Sequence, residues 1–460
     1  MSMASQSLFA VVILGQCLSS TRAQEYPTSS YVTLMSNDTL INADLWDEEP
    51  KIFTANYAFE GIQGVEGTTQ EAIEAAGGTW IENVPEACSN MVFPVRTSCQ
   101  TPSTVASGFG WPTYYADAMP IVFSWPVKAS TVNASDFQFT LNTGRVVSPE
   151  VASIKPNDEW NERSTVVVFG HFGNRIAPGL PGAEYVVKVD IVDDGTPLML
   201  VGRGGRLFNA VGLSYDASCC PPYGPDAKGP TLVAAKLSYF SDKGEYTSSD
   251  GIAYPNSCSD LYGDGVQYRL RMYTSGGFSP DGVSALTPDA YDTYFRVHVR
   301  VDASTTMTLD TSGKDYDIPG AGSLTILGLA DLTILGENGY NACSISDADN
   351  YIDICMVGSE EAARKVIALE LPAGNATANP NDSYKHLYNP GGPGTNPAPG
   401  VNYTSPSPYT YQPVRISLDD PFTVTVLTDS PMPCQTKIDP GCSCNKPFWH
   451  PRKRMCIARP

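Results

Sequence analysis

From about residue 115 the chain alternates apolar and polar side chains with period two, and Gly, Pro, Asn and Asp bound each run. Phe137, Phe139 and Leu141 alternate with Gln138 and Thr140, and Val187, Val189 and Ile191 with Lys188 and Asp190. Phe295, Val297, Val299 and Val301 alternate with Arg296, His298 and Arg300. Tyr268, Leu270 and Met272 do so with Arg269 and Arg271, and Phe422, Val424 and Val426 with Thr423 and Thr425. A side-chain period of two is that of a strand with one buried face and one wet face. His298, Arg269 and Arg271 are therefore expected in water. Helical signals are short: Thr68-x-x-Glu71 reads as a capping box opening TTQEAIEAA with Gly77 as its stop, and Ser359 opens SEEAARKVIAL. Without alternating strand and helix units, parallel sheets of the nucleotide-binding and α/β-hydrolase kind are not expected. The pattern predicts an all-β chain of several antiparallel β-sandwiches with a short disulfide-rich C-terminal tail.

Composition adds compartment and charge. The 460 residues are 42% hydrophobic, enough for more than one core, and carry 49 acids against 29 bases for a formal charge of −20. A chain so acidic lacks the phosphate-neutralising surface that nucleic-acid binding requires. The first residues have an apolar run from Leu8 to Leu18 followed by Thr21 and Ala23 at cleavage-site spacing, so 1–23 reads as a signal peptide. That run covers about half of the ~20 residues a spanning helix needs. No membrane span is expected.

Removing Cys17 from the twelve cysteines leaves eleven in an oxidising compartment, where disulfides persist. Cys88 with Cys99, and Cys343 with Cys355, are near enough to close short loops, and Cys434, Cys442, Cys444 and Cys456 form a C-terminal set. Cys219 and Cys220 need separate partners, Cys258 can take one, and the odd thiol is free or bridges two chains. Zinc at Cys442, Cys444 and His450 lacks the paired CxxC spacing of structural sites. Asn-x-Ser/Thr sequons at Asn37, Asn133, Asn375, Asn381 and Asn402 fit a glycosylated secretory product. The expected organisation is an N-terminal region 24–114 with one short helix, a sandwich over 115–200, and a second β-rich domain over 201–372. A Pro/Gly-rich glycosylated spacer over 373–412, closing strands over 413–430 and a basic Cys-rich tail over 431–460 follow.

Residues 120–191 carry a likeness. Phe123-Ser-Trp-Pro-Val127 ends one strand, Ser130-Thr-Val132 turns into another entered through Asp136 and Phe137, and Gly182-Ala-Glu-Tyr185 opens a closing strand. This stretch resembles the SbsA-type bacterial Ig-like domain over about 115–200. The resemblance implies a sandwich serving as spacer, adhesive module or accessory domain in a secreted or surface protein, with no catalytic residues to carry over.

Candidate chemistry is sparse. Between Cys343 and Cys355, the residues Asp347, Asp349, Asn350 and Asp353 place four oxygen donors in seven positions, the hard-ligand supply that calcium requires. A disulfide closing that loop would hold the carboxylates together. The same spacing also suits an acidic solvated turn, as do Asp260, Asp264, Asp419 and Asp420. Asn389-Pro-Gly-Gly-Pro-Gly394 resembles an oxyanion loop of secreted hydrolases, yet no GxSxG elbow follows it. Val201-Gly-Arg-Gly-Gly-Arg206 opens no helix to receive a pyrophosphate. His171, His298, His386 and His450 share no metal-ligand spacing, and His386 is the first to ask about as a base. The tail interleaves Lys437, Lys446, Arg452, Lys453, Arg454 and Arg459 with Phe448 and Trp449, a face suited to acidic polysaccharide or to the acidic body of the chain. Two functions stand: a secreted or cell-surface β protein with a structural, adhesive or glycan-binding role toward surface glycans or extracellular proteins, or a secreted carboxylate-dependent hydrolase of polysaccharide or ester bonds, stabilised by calcium.

Overall fold

The computed structural model describes residues 38–42, 45–55, 63–76, 100–109, 111–154, 163–174, 176, 178–218, 229–240, 258–280, 284–332, 351–373, 385–388, 406–420 and 423–427. They form antiparallel sheets with few, short helices, an all-β architecture. Among them no helix is long and apolar enough to cross a membrane.

The N-terminal half holds β1 (Asp38–Asn42), β2 (Ile52–Ala55), β3 (Asp117–Phe123), β4 (Phe137–Leu141), β5 (Val146–Val147) and β6 (Val151–Ser153). It continues with β7 (Thr165–Gly170), β8 (Val186–Ile191), β9 (Met199–Val201), β10 (Leu207–Asn209) and β11 (Ser214–Asp216). Sheets β2-β3-β7-β6 and β11-β8-β4-β5 close on one core of Ile121, Phe123, Phe137, Phe139, Leu141, Val166, Val168 and Val189. Ile52, Ala55 and Ala210 join that core, so this sandwich draws on strands outside 115–200. Phe137, Phe139, Leu141, Val189 and Ile191 point inward as their alternation requires. Val187 does not. The register between β4 and β8 shifts at Thr140/Leu141, placing Leu141 opposite Val186, and Val186 rather than Val187 is buried. A bulge inserts one residue and turns the strand's parity from that point, which a strict period of two does not anticipate. The hairpin β9–β10 spans 201–206 around a 3-10 turn, not a phosphate-binding helix.

The C-terminal half holds β12 (Leu232–Tyr239), β13 (Tyr268–Thr274), β14 (Arg296–Arg300), β15 (Thr306–Leu309), β16 (Asp315–Ile318) and β17 (Gly322–Ala330). Then come β18 (Tyr351–Gly358), β19 (Val366–Leu371), β20 (Thr410–Pro413), β21 (Arg415–Ile416) and β22 (Thr423–Leu427). The six-stranded sheet β16-β17-β18-β13-β12-β21 packs on the four-stranded sheet β15-β14-β19-β20 through Leu270, Met272, Val297, Val299, Ile326, Ile354 and Leu369. Among the described residues all strand pairings are antiparallel except the short β12–β21 contact. β22 returns to pair with β1.

The helices are α1 (Gln70–Ala75), α2 (Pro102–Phe109), α3 (Cys258–Tyr262), α4 (Tyr291–Tyr294) and α5 (Glu360–Ala363). The cap of α1 is Thr69, whose Oγ1 accepts from the Ala72 amide at 3.3 Å, one residue later than the capping-box spacing suggests. Ser359 caps α5 as expected, by accepting from the Ala362 amide. The helix stops at Ala363, and Val366-Ile-Ala-Leu, expected to continue it, forms β19 against β14. β-branched side chains lose rotamer freedom in a helix but suit a half-buried pleated surface.

The second face of the six-stranded sheet is the main departure from the alternation. Arg269 and Arg271, expected in water, are 4% and 1% exposed. The Arg271 guanidinium donates from Nε to Asp353 Oδ1 at 2.7 Å and from Nη2 to Asp353 Oδ2 at 2.9 Å and Asp331 Oδ2 at 2.6 Å. Arg269 Nε lies 3.9 Å from the same Asp353 carboxylate. Burial pushes the Asp331 carboxyl up to about 6, with Arg271 opposing and Asp353 adding to the shift. Beside the charges, Trp46, Tyr273 and Tyr351 stack at 4.0 and 4.3 Å, and Lys236 Nζ sits 4.8 Å over the Trp46 ring. Tyr273 Oη donates to Tyr351 Oη at 2.6 Å, and Tyr351 Oη lies 3.1 Å from Thr165 Oγ1 of β7. Val122 of β3 packs on the same group. The first sandwich therefore seals the face that strand grammar leaves wet.

Asp353→Ala strands a buried guanidinium, and removing one partner of a buried ion pair costs about 3–5 kcal/mol. Urea unfolding of the variant should show a loss of that size, whereas a midpoint equal to wild type would contradict the cluster. Asp136 is fully buried and accepts from the Asn133 amide at 2.7 Å. Burial, with Asp194 adding, raises its carboxyl from 3.8 to about 7. Between those two values the folded chain keeps a proton that the unfolded chain releases, so this group makes stability fall as pH rises through the window. The slope is at most about 1.4 kcal/mol per pH unit. Asp136→Asn should flatten that part of a pH series of unfolding measurements.

Candidate functional site

Cys355 does not close the loop read from the sequence. Cys355, on β18, is bonded to Cys258, which opens α3, across 97 residues, so the expected Cys343–Cys355 loop is not closed. Proximity in sequence favours short loops entropically, yet a disulfide needs Cα atoms near 5.7 Å, and the sheet brings Cys258 to that distance. Asp353 is a buried strand residue whose two oxygens both accept from Arg271. It is committed to a guanidinium rather than turned toward an exposed loop. Asp347, Asp349 and Asn350 lie outside the described residues, as do Cys343, Cys88, Cys99, Cys434, Cys442, Cys444 and Cys456. Among the described residues no group of three or more His, Cys, Asp and Glu is placed to hold a metal ion.

The sequons at Asn37, Asn375, Asn381 and Asn402 also lie outside the described residues. Asn133 is half-buried and caps a 3-10 turn, its Oδ1 accepting from the Ser135 amide. Asp419 and Asp420 end a strand in ion pairs, Asp419 with Arg364 and Asp420 with Arg203 and Arg415. Asp260 lies in α3. His386 Nδ1 contacts the Ser407 carbonyl oxygen at 3.0 Å, a backbone anchor. His171 is surface-exposed, 3.5 Å from Glu150.

What the fold does gather is on the outer face of β15-β14-β19-β20. Parity sets it up: Val297 and Val299 enter the core, so Arg296, His298 and Arg300 face outward, and Leu369 and Leu371 enter the core, so Glu370 faces outward. The register places Arg296 opposite Glu370, Glu370 opposite Tyr411, and His298 opposite Thr308. His298 Nε2 lies 2.5 Å from Glu370 Oε2, and Nδ1 lies 3.2 Å from Thr308 Oγ1. The Tyr411 ring sits 5.3 Å from the imidazole. His298, expected wet, is half-buried among these neighbours, and its side chain is 13% exposed.

Tyr409 and Tyr411, two positions apart, are 42% and 46% exposed. Desolvation first, then the Glu370 and Tyr411 charges, raise the Tyr409 hydroxyl above its ordinary value. Arg300, Thr306 and Thr308 continue the open face. Two rings thus flank a hydrogen-bonded His–Glu–Thr row on a sheet surface. Such a surface offers aromatic faces for C–H stacking and fixed donors and acceptors for hydroxyl groups. Sequence reasoning missed Glu370, Thr308, Tyr409 and Tyr411. The lone acid between Leu369 and Leu371 is the signal that could have found Glu370.

No protein-family model, no curated protein and no solved structure matches the chain.

Proposed function

We propose that the chain is a secreted or cell-surface β protein whose C-terminal sandwich binds glycans on the outer face of β15-β14-β19-β20. The observation that carries this reading is the pair of exposed tyrosines, Tyr409 and Tyr411, set against the fixed His298–Glu370–Thr308 row. Aromatic side chains this exposed contribute little to the core, while a rigid ring beside oriented polar groups recognises a sugar at small entropic cost. The buried Cys258–Cys355 bond fits an oxidising compartment, in keeping with the leader at 1–23 and the sequons. The N-terminal sandwich, which resembles the SbsA-type Ig-like domain in sequence, then serves as the spacer or accessory module. The hydrolase alternative requires two carboxylates facing one another across a sugar. Glu370 has His298, not a second acid, as its described partner.

The test is a glycan array beside a generic glycosidase and esterase panel. Tyr411→Ala should lower glycan affinity about tenfold, equal to ~1.4 kcal/mol, the upper range of one aromatic stacking contact. Unaltered binding by Tyr411→Ala would move the site off this face. Turnover lost in Glu370→Gln would favour the hydrolase.

A further inference from the structure

The N-terminal sandwich carries a second exposed aromatic group, in the loop Trp111-Pro-Thr-Tyr-Tyr115 between α2 and β3. Trp111 is 42% exposed, Tyr114 50% and Tyr115 49%. Tyr115 also has φ of 51°, in the left-handed region that bulky side chains avoid and glycine enters freely. Only one other non-glycine residue among those described has a positive φ, and it is Asp331 of the buried charge cluster.

The loop is held rigidly. The Tyr115 and Ala116 amides donate to the carbonyls of Gly64 and Gln63 at 3.3 and 2.8 Å, and the Gln63 amide returns a bond to Ala116 at 2.6 Å. Gly64, itself at φ 78°, approaches so closely that a Cβ there would lie 1.8 Å from the Thr113 carbonyl oxygen. From below, Ala116 packs with Val105 and Phe109 of α2 on Phe169 of β7. The loop backbone is thus fixed from two sides while Trp111, Tyr114 and Tyr115 each remain about half exposed. A tyrosine at 115 gives the fold strain and little burial, where glycine would give neither. Backbone strain kept at an exposed position marks a site selected for something other than stability.

The loop's chemistry narrows the occupant. From residue 97 to residue 116 no side chain is charged, in a chain of net charge −20. The exposed rings are Trp and Tyr, each an apolar face with a polar edge, and no Leu, Ile or Phe is exposed with them in the loop. An anionic ligand would meet no cation here, and insertion into lipid would need aliphatic wedges. We propose that Trp111, Tyr114 and Tyr115 form a preorganised stacking platform for a neutral saccharide, distinct from the face on the C-terminal sandwich. The pyranose C–H face stacks on the rings, and the indole N–H and phenol O–H groups meet the hydroxyls. This platform does not rest on the β15-β14-β19-β20 reading. It stands even if that face binds nothing.

The experiment uses the full chain, titrated with neutral glucan, mannan and xylan oligosaccharides by calorimetry, and mixed with phosphatidylcholine vesicles in a parallel arm. The variants are Tyr115→Gly, Trp111→Ala and, as a control for the other face, Tyr411→Ala. Tyr115→Gly is expected to weaken binding of a neutral oligosaccharide at least fivefold while its Tm stays within about 2 °C of wild type or rises. Trp111→Ala should weaken the same ligand, and Tyr411→Ala should leave this loop's share of the affinity in place. Four results overturn the proposal: no neutral oligosaccharide binds the wild type; Tyr115→Gly binds as tightly as wild type; Tyr115→Gly loses several degrees of Tm, which makes the ring structural; or the substitutions abolish vesicle binding instead.

Discussion

The structure depends on where the Arg271 guanidinium is placed. A charge taken out of water must find partners, because the desolvation penalty of an unpaired buried ion amounts to several kcal/mol. Arg271 donates to a bidentate Asp353 on the neighbouring strand β18 and once to Asp331, which follows β17. The bond geometry ties three strands of one sheet together on a face that also holds Arg269, Lys236, Tyr273 and Tyr351. Such a face can be buried only if what covers it is equally specific. Thr165 completes the Tyr273–Tyr351 hydroxyl chain, Val122 fills the apolar part, and Trp46 lies beneath Lys236. Polar groups of this kind set a register as well as an energy, since sliding one sandwich over the other would separate each partner.

That interface determines which surfaces remain for binding. The β2-β3-β7-β6 sheet has one face in the core of its own sandwich, while Ala118, Val122, Val167 and Phe169 on the other meet α2 and the second sandwich. The β18-β13-β12 part of the six-stranded sheet is likewise covered on both sides. The outer face of β15-β14-β19-β20 is a sheet surface left open, and its residues differ in kind from those at the interface. The buried face pairs arginine with aspartate. The open face leaves two tyrosine rings and Arg300 exposed, beside a histidine and a glutamate that contact each other.

Most strands were legible in the sequence because period two is a local property. Phe137, Phe139, Leu141, Val297 and Val299 are buried where their alternation puts them. The failures are non-local. Arg269 and Arg271 alternate perfectly with Tyr268, Leu270 and Met272, and nothing in those residues reports that a second sandwich will cover the polar side. Val187 fails for a smaller reason, a one-residue bulge opposite Leu141. Cys355 was assigned to the nearer Cys343, whereas its partner, Cys258, arrives through the fold. Asp353 looked like one of four loop oxygens, and the deciding residue, Arg271, is 82 positions away. The open face is hidden for the same reason: His298 and Glu370 are 72 residues apart, and neither carries a motif.

The rigidity that hides these sites also sets how they could act together. β22 pairs with β1, joining the beginning and the end of the described chain, and Arg203 of the N-terminal half reaches Asp420, which Arg415 also holds. With the buried charge cluster, these contacts fix one sandwich against the other instead of leaving them on a free linker. On the reading proposed above, two saccharide contacts on such a body would not behave as independent modules. Their joint affinity is governed by effective concentration, which is high only for a glycan whose length matches the fixed span between them and falls away for shorter chains. If both proposed faces bind, the interface between the sandwiches sets the span that a bridging polymer would have to match. The residues that hold that span are Arg271, Asp353 and Thr165, all buried at the face between the sandwiches.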